Sequence, residues 1–423
     1  SGNNTLTLPN DGTIISKDAA GAVGVTSVHT TNITATGIAT ITTAKIGAGV
    51  TISESGIEAS GIGITCANIN GGSIGGRRNI SINGAMEVAQ RGTSSTTYGY
   101  GSVDRFATYY YGHNEVPTHS QADVASGTSP YAEGFRKCLK VTNGNQTSGA
   151  GAAQFMQIQH KYESQDIAKS GWNYTSTSSY ITVQFWVKAS VAQTYYVYLR
   201  STDGTGQRYY FPYALSANTW TKVVKTIPGN SNLQFDNDVN HGFQINFGMW
   251  YGTDYTASGL SAETWAAYAS GTRIPDMTST WWTTDDATFE ITGVQLEVGP
   301  QATAFEHRSY ADEFLSCCRY YFFTNAQHFF AARGNNSDGL VGFVETQVPL
   351  RASPSVTLTG GLRHWGIDSN SSSTTTPTIP SFRANQKGIR VNQTGHSGVN
   401  DDCVMTVQTD GSDGQGLAFD SEL

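Results

Sequence analysis

ITGVQLEVGPQATAFEHRSYADEFLSCCRYYF, residues Ile291 to Phe322, passes from a strand pattern through a stop to a helix pattern within one short stretch. Phe289, Ile291, Val294, Leu296 and Val298 recur mostly at period two, the spacing of a strand with one face buried. Gly299-Pro300 ends that strand. Ser309 then stands as an N-cap with Asp312 and Glu313 in the first turn, and Tyr310, Phe314, Leu315 and Cys318 follow at helical spacing. The stretch reads as a junction where one β domain closes and another begins.

The totals agree with an all-β chain. Only 14% of the 423 residues are charged, while 47 are Gly, 21 are Tyr and 8 are Trp, a composition of many short strands and turns. With 25 Lys plus Arg against 33 Asp plus Glu the net charge is -8. No basic patch marks nucleic acid or an anionic membrane as a partner. No apolar run approaches the ~18 residues of a membrane span. The five cysteines, Cys66, Cys138, Cys317, Cys318 and Cys403, form no CxxC pair, which fits assembly in a reducing cytoplasm. Adjacent Cys317 and Cys318 read as small apolar helix residues, with a vicinal disulfide as the alternative.

Residues 1–78 contain no Phe, Tyr or Trp. Single isoleucines (Ile38, Ile41, Ile46, Ile52, Ile57, Ile62, Ile64, Ile69, Ile74), with Val50, are separated by Gly, Ala, Ser and Thr. A covered Ile contributes roughly 1.5–3 kcal/mol, against about 1–2 kcal/mol of backbone entropy for each ordered residue, so one copy of this segment cannot fold by itself. Several copies could share the isoleucines on one axis. The segment is therefore expected to be an intertwined β shaft, most simply a homotrimer. A Gly/Thr linker is the alternative, and the near-regular Ile register decides against it. Upstream, NTLTLPNDGTIIS reads as strand, turn, strand.

Residues 79–308 carry strand-like runs at 152–160, 180–191, 194–200, 207–215, 220–227 and 241–250, separated by turn-rich STDGTG and PGNSN. They predict a jelly-roll β-sandwich. Residues 309–423 predict a small distal β domain, interrupted by DSNSSSTTTPTIP at 368–380, a loop by composition.

Flat aromatic side chains stack on the apolar faces of sugar rings, and long loops on rigid scaffolds carry binding residues. Trp250, Tyr251, Asp254, Tyr255, Trp265, Trp281 and Trp282 cluster around the irregular stretch 250–285 and are the candidate glycan-binding set. Filling a core or a subunit interface is the alternative for Trp281 and Trp282. Arg363, His364 and Trp365, in a loop-like context, form a second candidate contact, with a structural role as the alternative for Trp365.

The motifs NISINGAMEVAQRGTS (79–94), YGSVDRF near Asp104, the Ile291–Phe322 stretch and, with less specificity, QVPLRASPSVTLTG and the final FDSEL resemble the distal part of tail-fibre or receptor-binding proteins of short-tailed phages, especially those of marine cyanobacteria. The resemblance implies a virion fibre, made in the host cytoplasm, that touches a host surface glycan or other receptor. It also implies further tail proteins as partners through a preceding N-terminal region, which the Ser1-Gly2 start leads one to expect. The opening NGAME and the closing TDDATFEITGVQLE also resemble jelly-roll carbohydrate-binding modules, in which the closing strand holds a calcium. Here Thr292-Gly293 stands where that family often has acidic residues, leaving Glu87, Asp285 and Asp286 as weak ligands. His29 in the shaft would bind a metal on a trimer axis only by analogy with such fibres. The reading is therefore no metal and no cofactor.

No nucleophile elbow, HExxH, P-loop or GxGxxG stands in a credible setting. Asp285, Asp286 and Glu290 lie close in sequence, and a glycan hydrolase needs only two carboxylates roughly 5–10 Å apart in space. The expectation is a non-enzymatic fibre. A polysaccharide-degrading tailspike and a structural adaptor without receptor contact are the alternatives.

Overall fold

The computed structural model describes residues 77–324, 330–334, 339–359, 406–407 and 416–423 with their side chains. For the strands at 43–46, 50–53, 56–59, 362–366, 369–375, 378–385 and 388–394, for residue 329 and for the rest of 404–409, it describes the backbone only. The chain divides into two compact units, Ser1–Cys66 and Ala67–Leu423.

In the first unit β1 (Thr43–Ile46), β2 (Val50–Ser53) and β3 (Gly56–Ala59) form an antiparallel meander. The expected hairpin at NTLTLPNDGTIIS and the metal reading of His29 lie outside the described residues.

The second unit begins with a sandwich of two antiparallel six-stranded sheets. Its strands are β4 (Ser94–Ser95), β5 (Phe106–Tyr111), β6 (Thr118–Asp123), β7 (Lys137–Thr142), β8 (Phe155–Glu163), β9 (Tyr180–Ala189), β10 (Gln193–Ser201), β11 (Gln207–Leu215), β12 (Thr221–Pro228), β13 (His241–Tyr251), β14 (Ala266–Ala267) and β15 (Thr288–Val298). One sheet has the order β14-β11-β10-β13-β8-β5 and the other β12-β9-β15-β7-β6-β4. Alternate residues meet between them: Ile181, Val183, Phe185, Val187 from β9, Tyr195, Val197, Leu199 from β10 and Phe243, Ile245, Phe247 from β13 are all buried in one core. Three short helices, α1 (Ser129–Ala132), α2 (Ser164–Ala168) and α3 (Thr280–Thr283), sit in the connections.

The closing strand explains its own sequence. Phe289, Ile291, Val294 and Leu296 are all fully buried, and the one three-residue step, from Ile291 to Val294, is a β-bulge between Thr292 and Gln295. Gly293 forms it at φ 65°, and a Cβ there would stand 2.7 Å from the Phe135 ring, so only glycine fits. The NISING segment clasps this bulge. Asn79 donates from Nδ2 to the Val294 carbonyl (3.1 Å) and accepts from the Leu296 N–H (3.1 Å), and Val294 N–H donates to the Gly84 carbonyl (2.9 Å).

The helix expected after Ser309 is α4 (Tyr310–Cys318), capped by the Ser309 hydroxyl, which accepts from the Asp312 N–H at 3.2 Å. Beyond it, β16 (Tyr321–Phe323), β17 (Phe329–Gly334), β18 (Leu340–Glu345), β19 (Ser355–Thr359), β20 (Leu362–Gly366), β21 (Ser369–Thr375), β22 (Thr378–Asn385), β23 (Gly388–Thr394), β24 (Val404–Thr409) and β25 (Gly416–Asp420) build a three-stranded sheet, β16-β25-β19, and a seven-stranded sheet, β21-β20-β24-β17-β18-β23-β22. The insert at 368–380 is thus not a loop. Its Ser/Thr run forms β21 and opens β22, because a backbone that completes its ladder with β20 and β23 tolerates polar, β-branched side chains on an edge.

The motifs that carry the fibre resemblance meet in one buried junction. Glu306 accepts from the N–H groups of Arg78 and Asn79, and Glu313 of α4 accepts from that of Asn83. Gln90 donates to Asp104 (2.6 Å) and to the Tyr321 carbonyl (2.8 Å). The C-terminal FDSEL returns to the sandwich: Glu422 pairs with Arg91 (3.4 Å) and Arg105, whose guanidinium lies 3.4 Å from the Tyr320 ring centre. Glu163 is held by Arg319 (2.7 Å) and by the Tyr320 hydroxyl (2.7 Å). These residues pair with one another and tie the two parts of the unit together. Cys317 and Cys318 are buried free thiols, as is Cys138.

Candidate functional site

Period two gives the first sheet an outer face as defined as its inner one. Across neighbouring strands the register sets this face out in rows. One row runs Tyr210, Tyr198, Asn246, Gln159, Ala107, and the next Pro212, Tyr196, Gly248, Gln157, Tyr109. A third places Tyr251, Phe155 and Tyr111 side by side.

The centre of the face is a ladder of buried amides. The Asn246 carbonyl oxygen accepts from Gln159 (2.6 Å) and Gln244 (3.0 Å), and Asn246 Nδ2 donates to the Tyr198 carbonyl (3.2 Å). Gln157 Oε1 accepts from the hydroxyls of Tyr198 (3.4 Å) and Tyr251. Burial pushes the Tyr251 hydroxyl well above its ordinary range, so it remains a donor.

Outward from this ladder lies an aromatic strip. Tyr98, outside the strands, and Tyr111, the last residue of β5, are 56% and 59% exposed. Tyr98 meets Tyr109 edge-on at 4.9 Å; Tyr111 stacks with Phe155 at 6.5 Å, and Phe155 with Tyr251 at 6.3 Å. Tyr255 stands edge-on to Phe155 at 5.2 Å, and the Arg273 guanidinium lies 4.4 Å from the Tyr255 ring centre. The strip is therefore a ribbon of ring faces with a cation and tyrosine hydroxyls along its rim. Tyr109 is pushed up to about 12, by burial first and then by Tyr98 and Glu422. This chemistry suits a flat, partly apolar ligand that also needs hydrogen bonds.

The sequence-predicted residues divide. Tyr255 lies on the strip, partly exposed, Tyr251 backs it from beneath, and Asp254 is exposed beside them. The tryptophans do not join them. Trp281 and Trp282 are 0% exposed, in α3, with Nε1 donating to the carbonyls of Thr288 (3.0 Å) and Gly149 (2.9 Å). Trp250 and Trp265 are also core residues, Trp265 donating to the Pro228 carbonyl at 2.7 Å. No ring face of these four is free to stack on a sugar, because the irregular stretch folds onto the sandwich core. Arg363, His364 and Trp365 lie in strand β20 and not in a loop, and their side chains are outside the described residues.

Sequence reasoning missed Tyr98, Tyr109, Tyr111, Phe155 and Arg273. The run FATYYY was the available signal, an aromatic strand beside a turn.

Among the described residues, no group of three or more His, Cys, Asp and Glu is placed to hold a metal ion, and no helix is long and apolar enough to cross a membrane. Glu87 is partly buried, and Asp285 and Asp286 are exposed. Of the carboxylates considered for hydrolysis, Glu290 is paired with Lys188 at 2.8 Å. A cavity of about 520 Å³ lined by Arg78, Lys169, Arg308, Arg319 and Asp166 belongs to the junction, since Arg319 is taken by Glu163, Arg308 by Glu306 and Arg78 by Thr303.

No family model matches the chain, and no curated protein matches its sequence. Solved structures are similar to the sandwich. One is the N-terminal cellulose-binding domain of β-1,4-glucanase C from Cellulomonas fimi, with 10% identity over 51% of this chain and 99% of that domain, TM-score 0.26. Another is the family 11 carbohydrate-binding module of the cellulosomal cellulase Lic26A-Cel5E from Clostridium thermocellum, with 10% identity over 51% and 98%, TM-score 0.24. A third is a cyclase from Fischerella sp. TAU in complex with 4-(1H-indol-3-yl)butan-2-one, with 10% identity over 53% and 99%, TM-score 0.30. At TM-scores this low the likenesses carry no argument.

Proposed function

We propose that the chain binds a glycan on the outer face of the β14-β11-β10-β13-β8-β5 sheet, as the receptor-binding part of a non-enzymatic phage tail fibre. The observation that carries the binding reading is the exposed strip Tyr98, Tyr109, Tyr111, Phe155 and Tyr255 beside Arg273. Two large tyrosines held more than half exposed lose apolar burial unless a partner covers them. Ring faces flanked by amide, hydroxyl and guanidinium donors match a sugar's alternation of C–H faces and hydroxyl edges.

The fibre role is supported by the motif resemblance and by the Gly/Ile-rich shaft. Three chains sharing that shaft would present three sites, and several fibres per particle would add avidity to weak single-site binding. Screening the whole chain on a panel of surface polysaccharides tests the binding reading. Retention of one or more polymers that is lost in Tyr98→Ala and Tyr111→Ala is expected; retention unchanged in both variants rejects it. Light scattering is expected to give three times the 45.3 kDa chain mass, and a stable monomer would reject the shaft. Shortening of a retained polymer during incubation would favour the tailspike reading instead.

A further inference from the structure

One more row of the same face lies toward the β10–β11 turn: Arg208, Arg200, Gln244 and Lys161, directly paired across β11, β10, β13 and β8. Cross-strand partners in an antiparallel ladder point to one side, so Arg200 and Arg208 are like charges placed opposite each other. Among the described residues, neither makes an ion pair or a side-chain hydrogen bond. Arg208 is 3% exposed, and its Nε and Nη1 are both buried without a partner; Arg200 Nε is likewise unpartnered. Each guanidinium instead lies against a tyrosine, Arg200 3.7 Å from the Tyr268 ring centre and Arg208 4.9 Å from that of Tyr210.

Among the described residues, four other arginines that are wholly or partly buried have a carboxylate, whereas Arg273, like this pair, has none and lies against tyrosines. Arg105 and Arg91 share Glu422, Arg308 has Glu306, and Arg319 has Glu163. Two arginines set opposite each other without an acid are thus a local departure, and unmet buried donors are costly unless something accepts from them. Lys161 lies in the same row, with Glu422 acting on it. His241, whose Nε2 is buried without a partner, is lowered to about 3 by burial and then by Lys161 and Arg200. Burial also holds Arg208 below the ordinary guanidinium range, with no carboxylate to offset it. Lys161 and Gln244 are the members of the row already engaged, Lys161 donating to the Leu423 carbonyl at 2.6 Å and Gln244 to the Asn246 side-chain oxygen at 3.0 Å.

We propose that Arg200 and Arg208 bind the anionic group, a carboxylate or a sulfate ester, of an acidic glycan whose rings lie on the aromatic strip. The inference rests on the glycan-binding reading and adds the charge class of the ligand. A guanidinium pair offers parallel N–H donors to a planar or tetrahedral oxyanion, which a neutral sugar hydroxyl cannot match in charge. From Lys161 to Phe155 strand β8 runs roughly 20 Å, so a chain of several sugar units would reach from the arginines to the strip.

Matched polymers give the test: polygalacturonate against its fully methyl-esterified form, and κ-carrageenan against unsulfated agarose, each bound to the whole chain at low and high salt. The acidic member of at least one pair is expected to bind about tenfold tighter or more at low salt, with the advantage shrinking as salt rises. Arg200→Gln and Arg208→Gln should each remove that advantage and leave the neutral member unchanged, which also shows that the variants fold. Equal binding of both members, or an advantage that survives in the double variant, overturns the charge inference while leaving the glycan reading intact. Binding that persists unchanged in Tyr98→Ala and Tyr111→Ala overturns the glycan reading itself. Sodium sulfate supplies a probe that does not depend on the sugar. It should raise the melting temperature of the wild type, over sodium chloride of equal ionic strength, more than that of the double arginine variant. Equal rises overturn the inference.

Discussion

Replacing Trp281 by alanine separates the two places where aromatic side chains could act. The ring is fully buried between the sheets, its Nε1 donating to the Thr288 carbonyl at 3.0 Å. That carbonyl also accepts from the Ser190 N–H at 3.0 Å, so losing the indole leaves it satisfied and the cost is mainly the cavity. Large aromatic to alanine changes in cores cost about 3–5 kcal/mol. For a domain the size of the sandwich, within the range of about 150–250 residues, that corresponds to a fall in melting temperature of roughly 6–20 °C. Tyr111, at 59% exposure, should by contrast shift stability by roughly 0.5 kcal/mol or less on truncation, as surface changes do. Thermal melts by circular dichroism, with polysaccharide binding measured well below both transitions, read the two effects separately. Trp281→Ala should melt early yet bind while folded; Tyr111→Ala should melt normally and bind poorly. A Trp281→Ala protein that melts like the wild type but no longer binds, beside a Tyr111→Ala protein that binds fully, would refute the reasoning and return the site to the tryptophan stretch.

Two further outcomes follow from the junction. Glu422→Gln should destabilise the protein by about 3–5 kcal/mol, because it leaves Arg105, 1% exposed, without its charge partner, and salt should screen the loss little; denaturant midpoints at low and high salt check this, and a change within error would mean the tail is not packed on the sandwich. Asp166 is raised to about 6, by burial first and then by the Glu163 charge, against an ordinary 3.8. Since the folded value lies above the unfolded one, the protonated form is favoured by folding, and this group's contribution is lost as pH rises from about 4 through 6. The gap corresponds to roughly 3 kcal/mol, so Asp166→Asn should be increasingly stabilising, relative to wild type, as pH climbs through that window and constant above it. A stability difference that does not change with pH would contradict it.

Much of the sandwich was legible because its strands carry period two over eight to eleven residues: the runs at 180–191, 207–215 and 241–250 fall on β9, β11 and β13. Even the bulge in β15 is visible as the one misplaced step between Ile291 and Val294. The site was less legible for two physical reasons. In FATYYY both faces are aromatic, so Tyr110 turned inward and Tyr109 and Tyr111 turned outward look alike in sequence. The strip also exists only because β5 and β8 pair, bringing Tyr111 to Phe155 and then to Tyr255 across a long stretch of chain. The tryptophans mislead because an irregular stretch reads as a surface loop. Asn143 donates to the Trp282 carbonyl at 2.7 Å and ties that stretch onto the core, a contact no local pattern reveals. In the last sheet, the Ser/Thr insert shows that composition alone does not separate a polar edge strand from a loop.

The most direct test of the account is a structure of the whole chain with an oligosaccharide from a retained polymer bound. The account predicts sugar rings packed on Tyr98, Tyr111, Phe155 and Tyr255, with hydroxyls near Arg273. A sugar seated away from this face, on the seven-stranded sheet or beside Trp281 and Trp282, would contradict it.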